Sequence, residues 1–187
     1  RDPLMGRRLN QKKANNEIAV TRWLNEQLGM ENKAFTPAHI GDGFEMYGKQ
    51  YDELYEAAGS LDVEPMKVEF AQVAEDSIYP KKMEKIAQEV EDRASKTGGV
   101  LTGEDAGIMR AKLNKSINST NDITLRQDIQ NMHEVINNAV ERALEGTPYE
   151  SQIDRINRGY RILKTLQRPG VIKSTGSGIN YPSFRNN

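Results

Sequence analysis

The sequence predicts an all-α protein, folded as an elongated helical bundle with short antiparallel connections and an extended C-terminal tail. Apolar residues recur at alternating spacings of four and three, which is the period of one helix face. Helix start and stop signals flank these apolar stripes. Only 36% of the residues are hydrophobic, below the roughly 45–50% of compact domains, a figure that also counts glycine. We therefore expect helices that each bury one narrow stripe, without a deep core.

The first helix is predicted over about residues 10–28, with Val20, Trp23 and Leu24 on its apolar face. A second begins at Thr36-Pro37, where an N-cap residue precedes a proline at the first helical position. Gly59 supplies its stop signal. The stripe of this second helix comprises Ile40, Phe44, Tyr47, Tyr51, Leu54 and Ala58.

Two more helices are expected before residue 95. One covers about residues 64–77, and the other follows Pro80. The stripe of the latter comprises Tyr79, Met83, Ile86 and Val90. Residues 95–101 are rich in glycine and polar side chains and form the expected boundary between subdomains. No strand is predicted.

Residues 102–168 are predicted to form three consecutive helices. Thr102 and Asp105 have the spacing of a capping box, residues 118–122 are dense in turn formers, and Thr147 to Glu150 form a second capping box. Short links between these helices favour antiparallel neighbours. The stripes are Ala106, Met109, Leu113 and Ile117, then Leu125, Ile129, Met132, Ile136, Ala139 and Ala143, then Tyr149, Ile153, Ile156, Tyr160 and Leu163.

These elements give three predicted parts: an N-terminal helical subdomain over 1–95, a three-helix unit over 96–168 and an extended tail over 169–187. The tail contains glycines, prolines and serines, which favour an extended chain. It also contains Ile179, Tyr181 and Phe184, which are unusual in a free linker. We expect these three side chains to dock on the protein itself or on a partner.

The net charge of −1 hides an uneven distribution. Residues 1–13 carry five basic and one acidic side chain, and residues 155–187 carry seven basic and none acidic. The intervening 14–154 therefore have a net charge of −12. Basic ends on an acidic middle fit contacts between copies or with nucleic acid. The alternative is that these basic residues merely favour solubility and helix C-termini.

Composition and motifs give no indication of a catalytic site, a metal site or a cofactor site. Without cysteine there is no disulfide, thiolate metal site or thiol nucleophile. His39 and His133 lack zinc-site spacing, and the glycine-rich 174–178 lacks the lysine of a phosphate loop. Two carboxylate clusters are read as solvated helix faces: Glu84, Glu89, Glu91 and Asp92, and Glu141 with Glu145. We therefore predict no catalytic residue, no metal and no cofactor.

Targeting signals are likewise missing from the sequence as given. No run of about 18 apolar residues could span a membrane, and no signal peptide is recognisable. The chain begins without an initiator Met. We therefore expect it to be a fragment, a processed product or the ordered part of a longer protein.

Five basic residues recur every three or four positions on the last helix. They form what we call the basic ridge: Arg155, Arg158, Arg161, Lys164 and Arg168. Such a ridge can follow the phosphates of a nucleic acid. It can equally meet the acidic part of a neighbouring subunit, or simply face water.

Residues 98–144 contain a recurring arrangement of helical signals. A threonine-glycine start leads a helix with Arg110 and Leu113, a short link from Ser119 to Arg126 follows, and a long helix comes next. This arrangement resembles a helical unit of virion proteins from tailed bacteriophages and prophages, with Arg110 and Leu113 at matching places. The signature "YRxLK" is matched by residues 160–164. An entry over residues 10–56, with Gly48, Tyr51 and Asp52, extends the resemblance to about 10–180. The glycine-dotted 41–48 and the unusually basic last helix depart from the family pattern.

The resemblance implies a structural, internal or DNA-transfer (ejection) protein of the virion, involved in genome delivery or in tail or neck assembly. Implied partners are portal, tail or other ejection proteins, further copies of the chain, and DNA; a membrane is a partner only after ejection, if at all. The implied location is the capsid interior or tail, after assembly in the bacterial cytoplasm. Two alternatives remain: a helical accessory segment of a peptidoglycan-degrading virion enzyme, and a nucleic-acid-binding helical module.

Overall fold

The computed structural model describes residues 3–168 and 170–171, with Pro3 described by its backbone alone. In these residues the protein is mostly helical, as predicted, with seven helices and one two-stranded sheet. In chain order the elements are α1 (Pro3–Leu28), α2 (Pro37–Ala58), β1 (Ser60–Asp62), α3 (Val63–Asp76), α4 (Pro80–Ser95), β2 (Val100–Thr102), α5 (Gly103–Ser119), α6 (Ile123–Leu144) and α7 (Glu150–Leu166).

Side-chain caps set the starts of four of the described helices, two of them at predicted positions. At α3, Asp62 Oδ1 accepts a hydrogen bond from the backbone N–H of Glu64 at 3.0 Å. Thr36 Oγ1 accepts a hydrogen bond from the backbone N–H of His39 at 3.2 Å. Thr102 Oγ1 accepts one from Asp105 at 3.1 Å, and Asp122 Oδ1 accepts one from Leu125 at 3.0 Å. Each bond satisfies an N–H that the first helical turn leaves without a backbone partner.

Helix α7 begins two residues later than its sequence predicts. We expected Pro148 at the first helical position, but Thr147 to Tyr149 form a turn and the helix starts at Glu150. Thr147 Oγ1 donates to the carbonyl of Leu144 at 2.6 Å, and the Glu150 carboxylate accepts from the N–H of Gly146 at 3.1 Å. The threonine hydroxyl thus also closes the preceding helix.

The prediction that the chain has no strand is wrong. Strands β1 and β2 pair antiparallel, with Leu61 opposite Leu101. Both leucine side chains are fully buried. Strands of three residues are too short to show a clear alternation of apolar and polar positions, which is why the sequence did not predict them. Burial of the leucine pair holds the two strands in the fold.

The chain forms two compact units. One contains residues up to Lys49 and from Asp154 onward, and the other contains Gln50–Ile153. Helices α2 and α7 each contribute residues to both units. The predicted subdomain boundary at residues 95–96 lies inside the second unit, where β2 pairs with β1.

The core of the first unit joins the C-terminal half of α1 to α2 and α7. Leu24, Leu28 and Phe35 are buried there. The buried Asn25 side chain donates to the carbonyls of Thr21 and Lys33, and its Oδ1 lies 2.7 Å from His39 Nε2. Trp23, which we predicted on the apolar face, is instead 54% exposed.

The second unit packs α3 against α4 and α6, and α5 against α6. The four predicted stripe residues of α5 are all buried, as are Ile129, Met132, Ile136 and Ala139 of α6. Gly103 makes one close approach possible. A Cβ at Gly103 would lie 1.9 Å from the Tyr55 carbonyl oxygen, and its N–H donates to the carbonyl of Gly59 at 2.6 Å.

Candidate functional site

Four of the five ridge residues lie on the part of α7 that belongs to the first unit, whereas Arg168, which we predicted on the same helix, lies two residues beyond its end at Leu166. The opposite face of that helix is anchored by Ile156, Leu163 and Leu166, which are all buried. Gly159 lets the helix approach α2 closely, because the Tyr47 hydroxyl occupies the space that a larger side chain would need. The ridge is therefore carried by a helix whose inner face is firmly packed.

Four of the five ridge residues are exposed: Arg155, Arg158, Arg161 and Arg168. Lys164 is half-buried. Within the described residues, Arg155, Arg158 and Arg161 take part in no ion pair. Their guanidinium groups are therefore available to an anionic partner.

Lys164 is held by aromatic side chains. Its Nζ lies 5.6 Å from the centre of the Phe44 ring and 5.4 Å from that of Tyr160. The two rings meet edge to face at 5.3 Å. Cation–π attraction and burial of the lysine stem both favour this arrangement, so Lys164 has a packing role that the exposed Arg155, Arg158 and Arg161 do not share.

The ridge also acts on a buried phenol. Burial raises the pKa of the Tyr47 hydroxyl, and the positive charge of Arg155 partly opposes this rise. The same hydroxyl donates to the carbonyl of Leu28 at 2.9 Å. The phenol is thus a neutral donor that links α1 to α2 beneath the ridge.

The two units carry opposite charge. The sequence of the first unit, 1–49 and 154–187, has 15 basic and 7 acidic residues, a net charge of +8. Residues 50–153 have 11 basic and 20 acidic residues, a net charge of −9. Both basic ends noticed in the sequence belong to the same unit.

The predicted docking side chains of the tail, Ile179, Tyr181 and Phe184, lie outside the described residues. Their role stays a prediction. The predicted tail as a whole, 169–187, has only residues 170 and 171 within the described part.

A buried polar cluster in the second unit was not predicted. The Arg110 guanidinium stacks 4.6 Å from the centre of the Tyr51 ring and 5.7 Å from that of Tyr55. Its Nη2 lies 3.8 Å from the exposed Asp52 carboxylate. Tyr55 donates from its hydroxyl to Asn137 Oδ1 at 2.6 Å. The sequence had marked Arg110 and Asp52 only as positions of the resemblance to virion proteins, and Tyr51 also as part of the α2 stripe. Nothing in it indicated that these side chains meet.

Glu89, one of the four carboxylates of the predicted cluster on α4, is ion-paired. Glu89 contacts Lys112, and Arg93 bridges Glu89 at 3.5 Å and Asp105 at 3.0 Å. The hydrogen bond from Lys112 lowers the pKa of Glu89, against a smaller effect of burial. A general acid needs a raised pKa, so Glu89 is a poor candidate for that role.

An open cleft of about 350 Å³ lies between α3 and α6 in the second unit. Glu69, Asp76, Asp128 and Glu134 contribute carboxylates to its lining. Three of them have partners: Arg142 pairs with Glu69 at 2.7 Å, Ser77 donates to Asp128 at 2.6 Å, and Gln72 donates to Asp76 at 3.1 Å. These contacts hold part of the cleft wall in place.

In the described part of the chain, no three His, Cys, Asp or Glu side chains come together as a metal site would require. None of the described helices has the length and apolar character needed to cross a bilayer.

Comparison with known proteins adds no relative. The chain matches no protein-family model, and no curated protein or solved structure is significantly similar to it.

Proposed function

We propose that this chain is a structural virion protein of a tailed bacteriophage, an internal or ejection protein acting in genome delivery or in tail or neck assembly. It works through its surfaces, in many copies, as an elongated helical bundle with a docking tail. The proposal rests on the resemblance of residues 10–180 to such proteins and on the separation of charge between the two units.

The separation of charge is the observation that carries the proposal. A net charge of +8 on one unit and −9 on the other makes like units repel and unlike units attract. Charged patches of this kind steer association and set its orientation more than they set its strength. Copies of the chain would therefore associate through unlike surfaces, a mode that builds rings or filaments.

Within this proposal, the basic ridge supplies the contact on the positive unit. Arg155, Arg158 and Arg161 are exposed and spaced along one helix. Arginine forms bidentate hydrogen bonds with carboxylates, so a row of arginines suits an acidic protein surface. The acidic surface belongs to another copy, or to a portal, tail or other ejection protein.

Sedimentation velocity of the purified chain at low and high salt tests the proposal. We expect association at low salt that weakens as salt screens the charges. The triple variant Arg155→Gln, Arg158→Gln, Arg161→Gln should stay monomeric. A matched control replaces three exposed lysines of the acidic unit, Lys81, Lys85 and Lys96, by glutamine. This control should associate at least as strongly as the parent chain.

A nucleic-acid-binding helical module is the second candidate, because the same three exposed arginines could contact phosphates. It predicts that a DNA duplex binds the chain with an affinity that falls steeply with salt. The triple glutamine variant would then lose DNA binding. DNA binding by a chain that stays monomeric in low salt would favour this candidate over assembly.

A further inference from the structure

The N-terminal half of helix α1 is exposed. Residues 4–16 are all exposed, and the helix becomes buried only at Leu24, Asn25 and Leu28. Isolated helices shorter than about 12–15 residues are marginal in water, since packing of one face supplies most helical stability. The first turns of α1 would therefore gain stability from a partner.

The exposed side of α1 carries its own stripe. Its members share a spacing of 4-3-4-3-4, which is the heptad repeat of a coiled coil. We call this set the α1 stripe: Met5, Leu9, Lys12, Asn16, Ala19 and Trp23. All six are exposed, with Met5 and Leu9 at 64% and Trp23 at 54%. The stripe is thus a second face, separate from the one that α1 buries through Leu24 and Leu28.

The composition of the α1 stripe favours one particular kind of partner. Met5, Leu9 and Trp23 offer apolar area to a facing helix. The central positions are polar, and a single polar residue at such a position sets the register of a coiled coil at a cost in stability. We expect this pattern to give specific binding of moderate affinity.

The positive charge of α1 limits which partners could bind the α1 stripe. Residues 3–23 contain five basic side chains, Arg7, Arg8, Lys12, Lys13 and Arg22, against the single acidic Glu17. Two α1 helices side by side would therefore repel each other. Residues 172–187 contain Lys173 and Arg185 and no acid, so the C-terminal segment is also mismatched in charge. A nucleic acid matches the charge but makes little use of the apolar positions.

We propose that the α1 stripe is a docking site for an acidic amphipathic helix of another polypeptide. Apolar residues of that helix would pack on Met5, Leu9 and Trp23, and its flanking Glu or Asp side chains would face the arginines and lysines of α1. In this mode of recognition, apolar side chains at heptad spacing on one helix pack against the other helix. The proposal goes beyond the assembly function and does not depend on the basic ridge.

Trp23 is the only tryptophan of the chain and so reports on this site. The probe is a labelled four-heptad peptide with Ile and Leu at positions a and d and Glu at e and g. A second peptide has Lys at e and g, and a 20-base-pair DNA duplex serves as a third ligand. We expect the Glu peptide to bind by fluorescence anisotropy, with a blue shift of Trp23 emission. The Lys peptide should bind at least tenfold more weakly.

Two variants locate the binding. Leu9→Ser should weaken the Glu peptide at least tenfold, whereas Val68→Ser, at a 72% exposed position of α3, should leave it unchanged. Absence of Glu-peptide binding overturns the proposal, as does binding that neither shifts Trp23 nor responds to Leu9→Ser. A DNA-induced Trp23 shift without a peptide effect, or self-association lost in Leu9→Ser, also overturns it. The triple ridge variant should bind the Glu peptide like the parent chain, which separates this test from that of the assembly function.

Discussion

The hydroxyl of Tyr47 occupies the space that a side chain at position 159 would fill, and Gly159 leaves that space open. A Cβ at Gly159 would lie 2.1 Å from Tyr47 Oη. The same oxygen donates to the carbonyl of Leu28 at 2.9 Å. One contact therefore ties α1, α2 and α7 together, and it brings the two distant ends of the chain into one unit.

The variant Gly159→Ala should destabilise the first unit by about 1–3 kcal/mol, the usual cost of inserting a methyl group into a packed site. The added Cβ would push Tyr47 from its hydrogen bond with Leu28. Urea unfolding followed by circular dichroism measures the change.

Gly41→Ala is the matched control for that variant. Gly41 also lies within a helix, and a Cβ there would meet nothing within 4 Å. It should stabilise the protein by about 0.5–1 kcal/mol through helix propensity. Equal unfolding midpoints for the two variants would show that the close approach at Gly159 has no energetic weight.

The variant Tyr55→Phe should cost about 1–3 kcal/mol, because it leaves the half-buried Asn137 carbonyl oxygen without the donor that the buried Tyr55 supplies. Chemical denaturation checks this. Tyr149→Phe is the control, since Tyr149 is exposed, and it should fall within about 0.5 kcal/mol of the parent chain. A cost for Tyr55→Phe no larger than that of the control would contradict the assigned role of the hydroxyl.

Alkaline pH should weaken the fold through Tyr55. Burial raises the pKa of its phenol well above the ordinary 10.0. Above about pH 10 the unfolded chain releases this proton while the folded chain keeps it, so stability falls as pH rises. Unfolding midpoints at about pH 9 and pH 11 measure the fall. It should be smaller in Tyr55→Phe, with a remainder from Tyr47, and an identical fall in both proteins would refute the assignment.

Acid pH should reduce the contribution of Glu89. The hydrogen bond from Lys112 lowers the pKa of Glu89 below 4.5. The stabilisation is therefore present above about pH 4.5 and is lost as pH falls through the lowered value. Because the side chain is 38% exposed, Glu89→Gln should cost less than about 1 kcal/mol at pH 7.

At about pH 3 the cost of Glu89→Gln should be smaller than at pH 7, because part or all of the Glu89 charge is then neutralised. Glu84→Gln, an exposed change on the same helix, should have little effect at either pH. Thermal unfolding at the two pH values compares the three proteins. A cost that is equally large at the lower pH would mean that packing, and not charge, makes the contribution of Glu89.

Sequence patterns predicted the buried stripes well where a helix has one packed face. The α5 stripe is buried throughout, because its four apolar residues face one direction, whereas Ile108, which lies off the stripe, is exposed. The patterns were misleading where a helix has two candidate faces. Trp23 lies one position from Leu24, and only the neighbouring elements decide that Leu24 is covered while Trp23 is exposed.

The candidate site was predictable only in part. The basic ridge could be read from the spacing of Arg155, Arg158 and Arg161, and the structure leaves them exposed. The stacking of Arg110 on Tyr51 and Tyr55 could not, because these residues are more than 50 positions apart in the chain. Lys164 resembles its arginine neighbours in sequence and differs from them only through its contact with Phe44 and Tyr160.

Local sequence is sufficient to specify helix starts at Thr36 and Thr102 and a stop at Gly59, because each signal acts on backbone within three or four residues. Which elements come together depends instead on burial shared by distant segments. Only the tertiary structure pairs Leu61 with Leu101 and places residues 1–49 with those from Asp154 onward. The same folding gathers the positive charge of both chain ends into one unit, which no stretch of sequence specifies alone.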